Sequence, residues 1–401
     1  MRVVVIGAGI VGITAALTLA EGGVEVVVLE RGPVAREASG LNAGIIGGGG
    51  WGDTPNSEVK LKMGSRDRFI DLSQRRGYDI GLDLTGTLSL IRTEAEWDWA
   101  VATVEADRRA GRELELLSSS ELIGLEPTVD PRLLGAILDP LGARAEPVAA
   151  TQAFAAEALA AGAIIETGCT VTGLRPLTGG GWVVQVATRA PLLQTRAMLT
   201  EDAVLGADAV IIAAGPWCAE LGAMVGVEVP IVAVRGQMWA SDPQPLLLRH
   251  AISAAESSLT WSSEAAKGVS PPNLTHRDGQ RVTRHLYGRQ RPNGEIVFGG
   301  DRARTTERSV DHDGIAINHG HVGELVPKLA TLPPTRTWAG LMPFSLDGSP
   351  LIGPISDHHG LFLGGGLASS GFGRGPMAGQ MIADLVMGGR PEFDGLSGRI
   401  S

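Results

Sequence analysis

Three glycines near the start of the chain stand at a spacing that can hold a phosphate: Gly7-Ala8-Gly9-Ile10-Val11-Gly12. Arg2–Ile6 (RVVVI) precedes them as a short β-branched strand pattern, and ITAALTLAEGG follows as a helical stretch. Val24–Leu29 (VEVVVL) is a second buried strand, ending at Glu30, 18 residues past Gly12. Each position has a physical task. Gly7 makes the tight turn, Gly9 has no side chain to hold off a pyrophosphate, and Gly12 lets the helix lie close on the strand. The helix N-terminus offers free N–H groups to phosphate oxygens. Glu30 can accept both hydroxyls of an adenosine ribose. Between two such strands, this fingerprint predicts dinucleotide binding. By itself it does not separate NAD from FAD.

A second junction of this kind lies near the end. Gly360–Gly364 (GLFLG) reads as a strand, Gly364–Gly375 (GGGLASSGFGRG) as a glycine-rich loop, and Pro376–Val386 as a helix with proline in its first turn. The positive end of a helix favours negative charge. A nicotinamide enzyme has no evident use for a second junction. A flavin enzyme has one, because reduction leaves negative charge on the N1–C2=O edge of the ring. The pair of junctions therefore favours FAD.

Stepping outward, Arg31–Gly50 is rich in glycine and alanine and contains Ser39 and Asn42. It ends in Gly47–Gly50 before Trp51. It reads as a flexible linker or as backbone threaded past a planar ligand. Ala207–Ala214 is a buried strand running into Gly215-Pro216-Trp217, as expected of a strand that returns to the sheet beside the cofactor. Ser57 to about Arg109 is helical around a strand, GTLSLI (86–91). Val148–Ala161 is a helix, Ala163–Val171 and Gly181–Ala187 are strands, and Pro191–Leu205 is a loop or outer hairpin. Val282–Arg289 and Glu295–Gly299 form a hairpin through Arg291-Pro292-Asn293-Gly294. By period two, Thr283, His285, Tyr287 and Arg289 share one face of a second, more antiparallel domain.

Composition agrees with a folded protein that has a large core. The 401 residues are 44 % hydrophobic and 19 % charged, which excludes wholesale disorder. The net charge of −10 argues against a general nucleic-acid binder and against a polybasic membrane patch. Fifty-six glycines without a collagen period must serve loops and close backbone contacts. Cys169 and Cys218, far apart, fit buried thiols in a reducing compartment. Val3–Ala20 is nearly uncharged. Its glycine spacing and direct continuation into a strand set it apart from a signal peptide or membrane span, and a soluble, cytoplasmic protein is expected.

Five ordered segments resemble the D-amino-acid oxidase and glycine/sarcosine oxidase superfamily of FAD enzymes. They are GAGIVG with Glu30-Arg31, ASGLNAG (38–44), AAGPW (213–217), RTWAGLMPFSLDGSPLIGP (336–354) and GGGLASSGFGRGP (364–376). The resemblance implies an α/β fold. A Rossmann-like FAD-binding domain with a mostly parallel sheet would be built from 1–85, 146–220 and 336–401. An interleaved α+β substrate domain with a mixed or antiparallel sheet would take 86–145 and 221–335. It implies that Gly7, Gly9, Ile10, Val11 and Gly12 hold the pyrophosphate, that Glu30 and Arg31 flank the adenosine, and that Ser39 contacts phosphate. Asn42, Ala43, Gly44 and Ile45 would line the flavin, and Val171 the adenine. Ala214, Gly215 and Trp217 would pass the dinucleotide, and Gly371, Phe372 and Gly373 the ring edge, with Gly340 and Leu341 also at the cofactor.

Departures from the pattern bear on substrate. Amino-acid oxidases of this type often read GLRP where this chain has Gly340-Leu341-Met342-Pro343, and that arginine clamps the substrate carboxylate. The segment 344–353 is more similar to sarcosine, proline or D-hydroxyproline dehydrogenases. Ser369 and Ser370 stand where some relatives place a basic residue or histidine. Relatives that bind flavin covalently use a cysteine in the segment matching 340–345; its absence here implies non-covalent FAD. The resemblance implies oxidation of a C–N bond in a small amine or amino acid, the imine being hydrolysed by water and electrons passing to oxygen or a quinone. Two alternatives stand beside it: a tailoring oxidase for a substrate without a free carboxylate, suggested by Met342, and a flavin-binding partner without turnover.

Four residues are candidates for the substrate side. Tyr287 could aim its hydroxyl at substrate or simply pack on a core edge. Arg289 could replace the missing clamp, although a strand-end arginine is more often solvated, and Arg235 is a further possibility. His285 shares their face, and Met342 would form pocket wall or plain core. His358 and His359 have no metal-ligand spacing.

Overall fold

Period-two alternation sets the centre of the molecule. In the computed structural model, Val3 and Val5 of strand β1 (Arg2–Ile6) bury into one core, and Val4 and Ile6 into another on the opposite face. Helix α1 (Ile10–Glu21) leads to β2 (Glu25–Glu30), where Val26 and Val28 part from Val27 and Leu29 in the same way. Strands covered on both faces read as continuous apolar runs. The structure describes residues 1–47, 56–188, 202–266, 275–277, 280–281 and 285–389.

The chain continues through β3 (Ile45–Ile46), α2 (Asn56–Ile70), β4 (Thr87–Ile91), α3 (Glu94–Arg109), β5 (Glu115–Ser118), α4 (Ser119–Leu125), β6 (Gly135–Asp139) and β7 (Ala143–Arg144). Next come α5 (Pro147–Ala160), β8 (Ile164–Thr167), β9 (Cys169–Pro176), β10 (Trp182–Thr188), β11 (Asp202–Ala207), β12 (Ala209–Ile212) and α6 (Cys218–Ala223). Then follow β13 (Ile231–Ala240), β14 (Ala251–Ala254), α7 (Ala255–Ala266), the short pair β15 (His276–Arg277) and β16 (Gln280–Arg281), β17 (Tyr287–Gln290) and β18 (Ile296–Ala303). The last elements are α8 (His312–Leu325), β19 (Arg336–Ser345), β20 (Leu351–Pro354), β21 (Leu361–Gly365) and α9 (Gly371–Val386).

Two large sheets carry the architecture. The first runs β20-β21-β12-β1-β2-β8 and is parallel except at β20. One of its faces packs under α1, α5 and α9; the other packs against the β9–β11 sheet and α6. The second sheet runs β19-β13-β18-β17-β14-β4-β6-β5 and is antiparallel except for β14 on β4. Its Trp239 and Phe298 bury against Ile315, Val322 and Leu325 of α8, while Met238, Ala240 and Val297 face Ala43 of the first unit. The fold is thus α/β with a Rossmann-like unit and an interleaved, largely antiparallel one. β19 pairs with β13 along its whole length. The chain therefore re-enters the first sheet at β20, later than the expected boundary at 336.

Local structure departs from the sequence reading at several points. The run 163–171 is two strands, β8 and β9, broken at Gly168, whose φ is +73°. α9 starts at Gly371 rather than Pro376, so the proline lies inside the helix. Glycines in that stretch serve helix packing as well as the loop: a Cβ on Gly375 would come within 2.4 Å of Ile10. The Met377 N–H donates to Ser65 Oγ at 2.9 Å, which settles one amide beside the proline. Expectations for Gly48–Gly50, Trp51, Thr283 and most of Pro191–Leu205 lie outside the described residues. Among the described residues no helix is long and apolar enough to cross a membrane.

Candidate functional site

The opening turn is built as its residue types require. Gly7 has φ +110°, and a Cβ there would stand 2.6 Å from the Ala213 carbonyl oxygen. A Cβ on Gly12 would stand 2.0 Å from the Gly7 carbonyl oxygen. Gly9 caps α1 without a side-chain hydrogen bond, which leaves first-turn amides for a ligand. One of them is already held, since Ile10 N–H donates to Ser39 Oγ at 2.9 Å. Glu30 accepts from the Ala8 N–H through Oε2 and from the Gly32 N–H through Oε1, each at 2.8 Å, and these bonds fix its carboxylate at the rim.

These groups open into one cavity of about 1530 Å³, counting its mouth. Gly7, Gly9, Ile10, Val11, Glu30 and Arg31 line it, with Ser39, Asn42, Val171, Ala214, Gly215 and Trp217. Arg31 lies 3.8 Å above the Trp217 ring, a cation–π contact at the wall. The cavity then reaches the second sheet, where Gly236, Met238, Tyr287, Gly340 and Met342 form its wall, and Gly364, Leu367, Gly371 and Phe372 close it from the last junction. Both glycine junctions and the antiparallel sheet therefore face the same space. The donor set at one end, the apolar slot beyond it and the second helix N-terminus suit a dinucleotide with a planar ring. Gly9 tests that fit: a Cβ there would stand 3.0 Å from Ser39 Oγ, inside the cradle.

Other expected cofactor residues lie behind the wall. Gly12, Ala43, Gly44, Ile45, Leu341 and Gly373 do not line the cavity. Gly44, with φ +77°, packs where a Cβ would stand 1.9 Å from the Ala145 carbonyl oxygen. Gly373 packs near Ile45 and Ile46. They shape the backbone that the cavity follows.

The substrate-side candidates separate. Tyr287 and Met342 line the cavity. The Tyr287 hydroxyl donates to Met238 Sδ at 3.6 Å, and burial pushes its pKa up, so it stays protonated. Arg289 corrects two expectations at once. It is 1 % exposed, so it is not solvated, and it does not line the cavity. Its guanidinium donates to the Ala43 carbonyl, to the Ala145 carbonyl at 2.9 Å and to Glu146 at 2.7 Å. It braces the Asn42–Ile45 segment from behind. Arg235 is turned to the other face of the sheet, where Nη1 donates to the Ser309 carbonyl at 3.0 Å. His285 precedes β17 and does not line the cavity either; its Nε2 meets the guanidinium of Arg302. Burial first, and then the Arg302 charge, push the His285 pKa well below its usual value, so the ring is neutral.

Sequence reasoning missed β13. Its Gly236 and Met238 reach the cavity while Arg235, Gln237 and Trp239 bond toward α8. The mixture of polar and apolar residues on both faces concealed the strand. Leu367, Ala368 and Ser369 of the last loop also line the cavity.

The family model described as FAD dependent oxidoreductase (DAO) matches residues 2–385. Glycine oxidase of Geobacillus kaustophilus is 26 % identical over 398 residues, covering 98 % of this chain and 94 % of that protein. D-amino acid dehydrogenase of Bradyrhizobium diazoefficiens is 25 % identical, covering 98 % and 97 %. The crystal structure of glycine oxidase from Geobacillus kaustophilus superposes with a TM-score of 0.81 at 25 % identity, over 98 % of this chain and 96 % of that one.

Proposed function

The chain belongs to the DAO family of FAD-dependent oxidoreductases, and on that premise we propose that it oxidises the C–N bond of a small amine or amino acid. The observation that carries this reading is the single cavity that joins the opening turn to the Tyr287–Met342 sheet face. The similarity to glycine oxidase and D-amino acid dehydrogenase over nearly the whole chain supports it.

FAD, when bound, supplies an acceptor for a hydride equivalent. The chain's own residues bind and aim. Gly7, Gly9 and the first turn of α1 hold the pyrophosphate, and Ser39 fixes that turn. Glu30, its carboxylate fixed by the Ala8 N–H, would receive the ribose, and Arg31 stacked on Trp217 would close over the nucleotide. Gly371 and Phe372 at the N-terminus of α9 line the cavity and would face the ring, where the helix dipole would favour negative charge. Tyr287, Met238 and Met342 wall the reacting end and exclude water, which is the main task when the cofactor does the chemistry. Loss of a hydride equivalent from the carbon and of a proton from the nitrogen turns the substrate's C–N bond into an imine, which water hydrolyses to a carbonyl compound and an amine or ammonia. No cysteine stands in 340–345, which supports non-covalent FAD. Oxygen or a quinone takes the electrons, and two buried free thiols support a reducing, cytoplasmic setting.

The test is direct. The purified protein should be yellow and release its flavin on heating. A panel of D-, L- and N-methyl amino acids and simple amines, added without air, should contain members that bleach it. A yellow protein that no amine reduces would leave a flavin-binding role without turnover.

A further inference from the structure

One face of α2 lies on the first turns of α9. Glu58, Lys62, Ser65 and Phe69 recur along it at helical spacing. Ser65 Oγ accepts from the Met377 N–H at 2.9 Å, and a Cβ on Gly64 would stand 2.7 Å from Met377 Sδ. The centre of the Phe69 ring is 4.9 Å from that of Phe372. This close contact brings Glu58 to Arg374, whose Nη1 donates to Glu58 Oε1 at 2.7 Å.

Arg374 stands in the first turn of α9 and is buried. Packing two helices calls only for an apolar side chain here, and burying a guanidinium is costly. Arginine keeps its charge even so. Its Nη2 donates to the Leu367 carbonyl, and its Nε has no hydrogen-bond partner among the described residues. Leu367, Gly371 and Phe372 all line the cavity, so the charge stands directly behind that wall. The carboxylate that pairs with it is divided: Lys62 Nζ lies 3.8 Å from the same Glu58 oxygen. The Glu58 side chain is also 29 % exposed against 6 % for Arg374, so water screens the negative partner more than the positive one.

A hydride equivalent brings two electrons and one proton, so reduction adds one negative charge to a flavin. A helix N-terminus favours that charge with partial backbone charges alone. A desolvated guanidinium behind the same turn adds a full unit charge where water screens poorly. We propose that Arg374 is a positioning residue that fixes the Leu367 carbonyl of the last loop and, with Glu58 turned toward water, raises the reduction potential of the bound FAD. This rests on the proposed function only in placing the ring beside Gly371 and Phe372, and it does not require turnover.

The potential of the bound flavin is measured against a reference dye with no amine present. Sulfite, which adds its electron pair at flavin N5 and leaves negative charge on the ring, is titrated as a second probe. Arg374→Leu should favour the oxidised form about tenfold, a fall of about 30 mV for the two-electron couple, and weaken sulfite to a similar degree. Glu58→Gln, which removes the opposing charge, should raise the potential by about 15 mV and tighten sulfite about threefold. Arg374→Lys keeps the charge and should stay within about threefold of the unaltered protein on both probes. Damage to packing alone would move Arg374→Leu and Glu58→Gln in the same direction. Unchanged potential in Arg374→Leu with FAD retained, or shifts of one sign in the two variants, overturns the proposal. Should Arg374→Leu fail to hold FAD, Glu58→Gln decides: a rise supports the proposal, and no change or a fall overturns it. Opposed shifts in a protein whose flavin no amine bleaches leave Arg374 in this role and refute the oxidation reading; bleaching by amines with unchanged potentials does the reverse.

Discussion

Arg289 and Glu146 are paired at 2.7 Å behind the Asn42–Ile45 segment, with the arginine 1 % exposed. The same guanidinium holds the Ala43 and Ala145 carbonyls, so one side chain ties three segments of chain together. Arg291 also bonds Glu146, and the carboxylate keeps a partner when Arg289 is removed. The cost of Arg289→Met is then mainly two orphaned carbonyls and the lost charged contact, about 2–4 kcal/mol. Denaturant midpoints of the FAD-saturated protein should fall accordingly. Flavin reduction by the amines that bleach the unaltered protein should stay within threefold in the folded variant, since Arg289 does not reach the cavity.

The neutral state of His285 couples stability to pH. Its folded pKa lies well below the ordinary 6.5, through burial and then the Arg302 charge. The unfolded chain binds this proton more readily, so stability is complete above about pH 6.5 and falls as pH drops below it. A second loss begins near the unfolded carboxylate values of about 4. There, Glu146 is held below its usual pKa: burial pushes it up, but hydrogen bonds and charge from Arg291 and Arg289 outweigh burial. Melting temperature should therefore decline in two stages, and His285→Gln should remove the first while leaving the second.

The first unit was legible because each residue type there has one physical use. RVVVI, GAGIVG and VEVVVL can hardly serve another fold, and β1, α1 and β2 form where those patterns lie. The substrate face was legible only in part. Tyr287 and Met342 follow from plain alternation within their strands and do line the cavity. The placement of Arg302 beside His285 and Phe344 does not follow, because one inserted residue at Gly300 shifts the register of β18 on β13, and a bulge leaves no mark in hydropathy. Arg289 was misplaced for another reason. A strand-end arginine is solvated unless distant segments supply acceptors, and Ala43 and Ala145 lie 246 and 144 residues away in sequence.

Close helix packing gives a contrast between two glycines. Gly379 of α9 lies where a Cβ would stand 2.0 Å from Thr14 Oγ1 and 2.5 Å from the Val11 carbonyl oxygen of α1. Backbone cannot yield there without moving the first turn that faces the cofactor. Gly379→Ala should cost about 3 kcal/mol, the upper end for overpacking, and weaken FAD retention. Gly320, inside α8, meets nothing within 4 Å. Gly320→Ala should raise stability by about 0.5–1 kcal/mol through helix propensity alone. Urea midpoints of both variants, with FAD content measured alongside, check the pair.

The two thiols should be inert in the folded protein although one of them borders the cavity. Cys218 is fully buried, and burial pushes its pKa up to about 12. Cys169 lines the cavity near Val171 yet is only 2 % exposed, and burial, then Glu166, push it up to about 11. Thiolate is the reactive form, and at pH 8 either group would carry on the order of a thousandth or less of its ordinary reactivity once access is counted. An aromatic disulfide reagent at pH 8 should therefore titrate no thiol over an hour in the FAD-loaded protein and two after unfolding in guanidinium. Cys169 should be the first to appear when FAD is stripped, because the ligand covers the wall on which it sits. Rapid labelling of Cys169 in the loaded protein would mean that the nucleotide does not lie against β9.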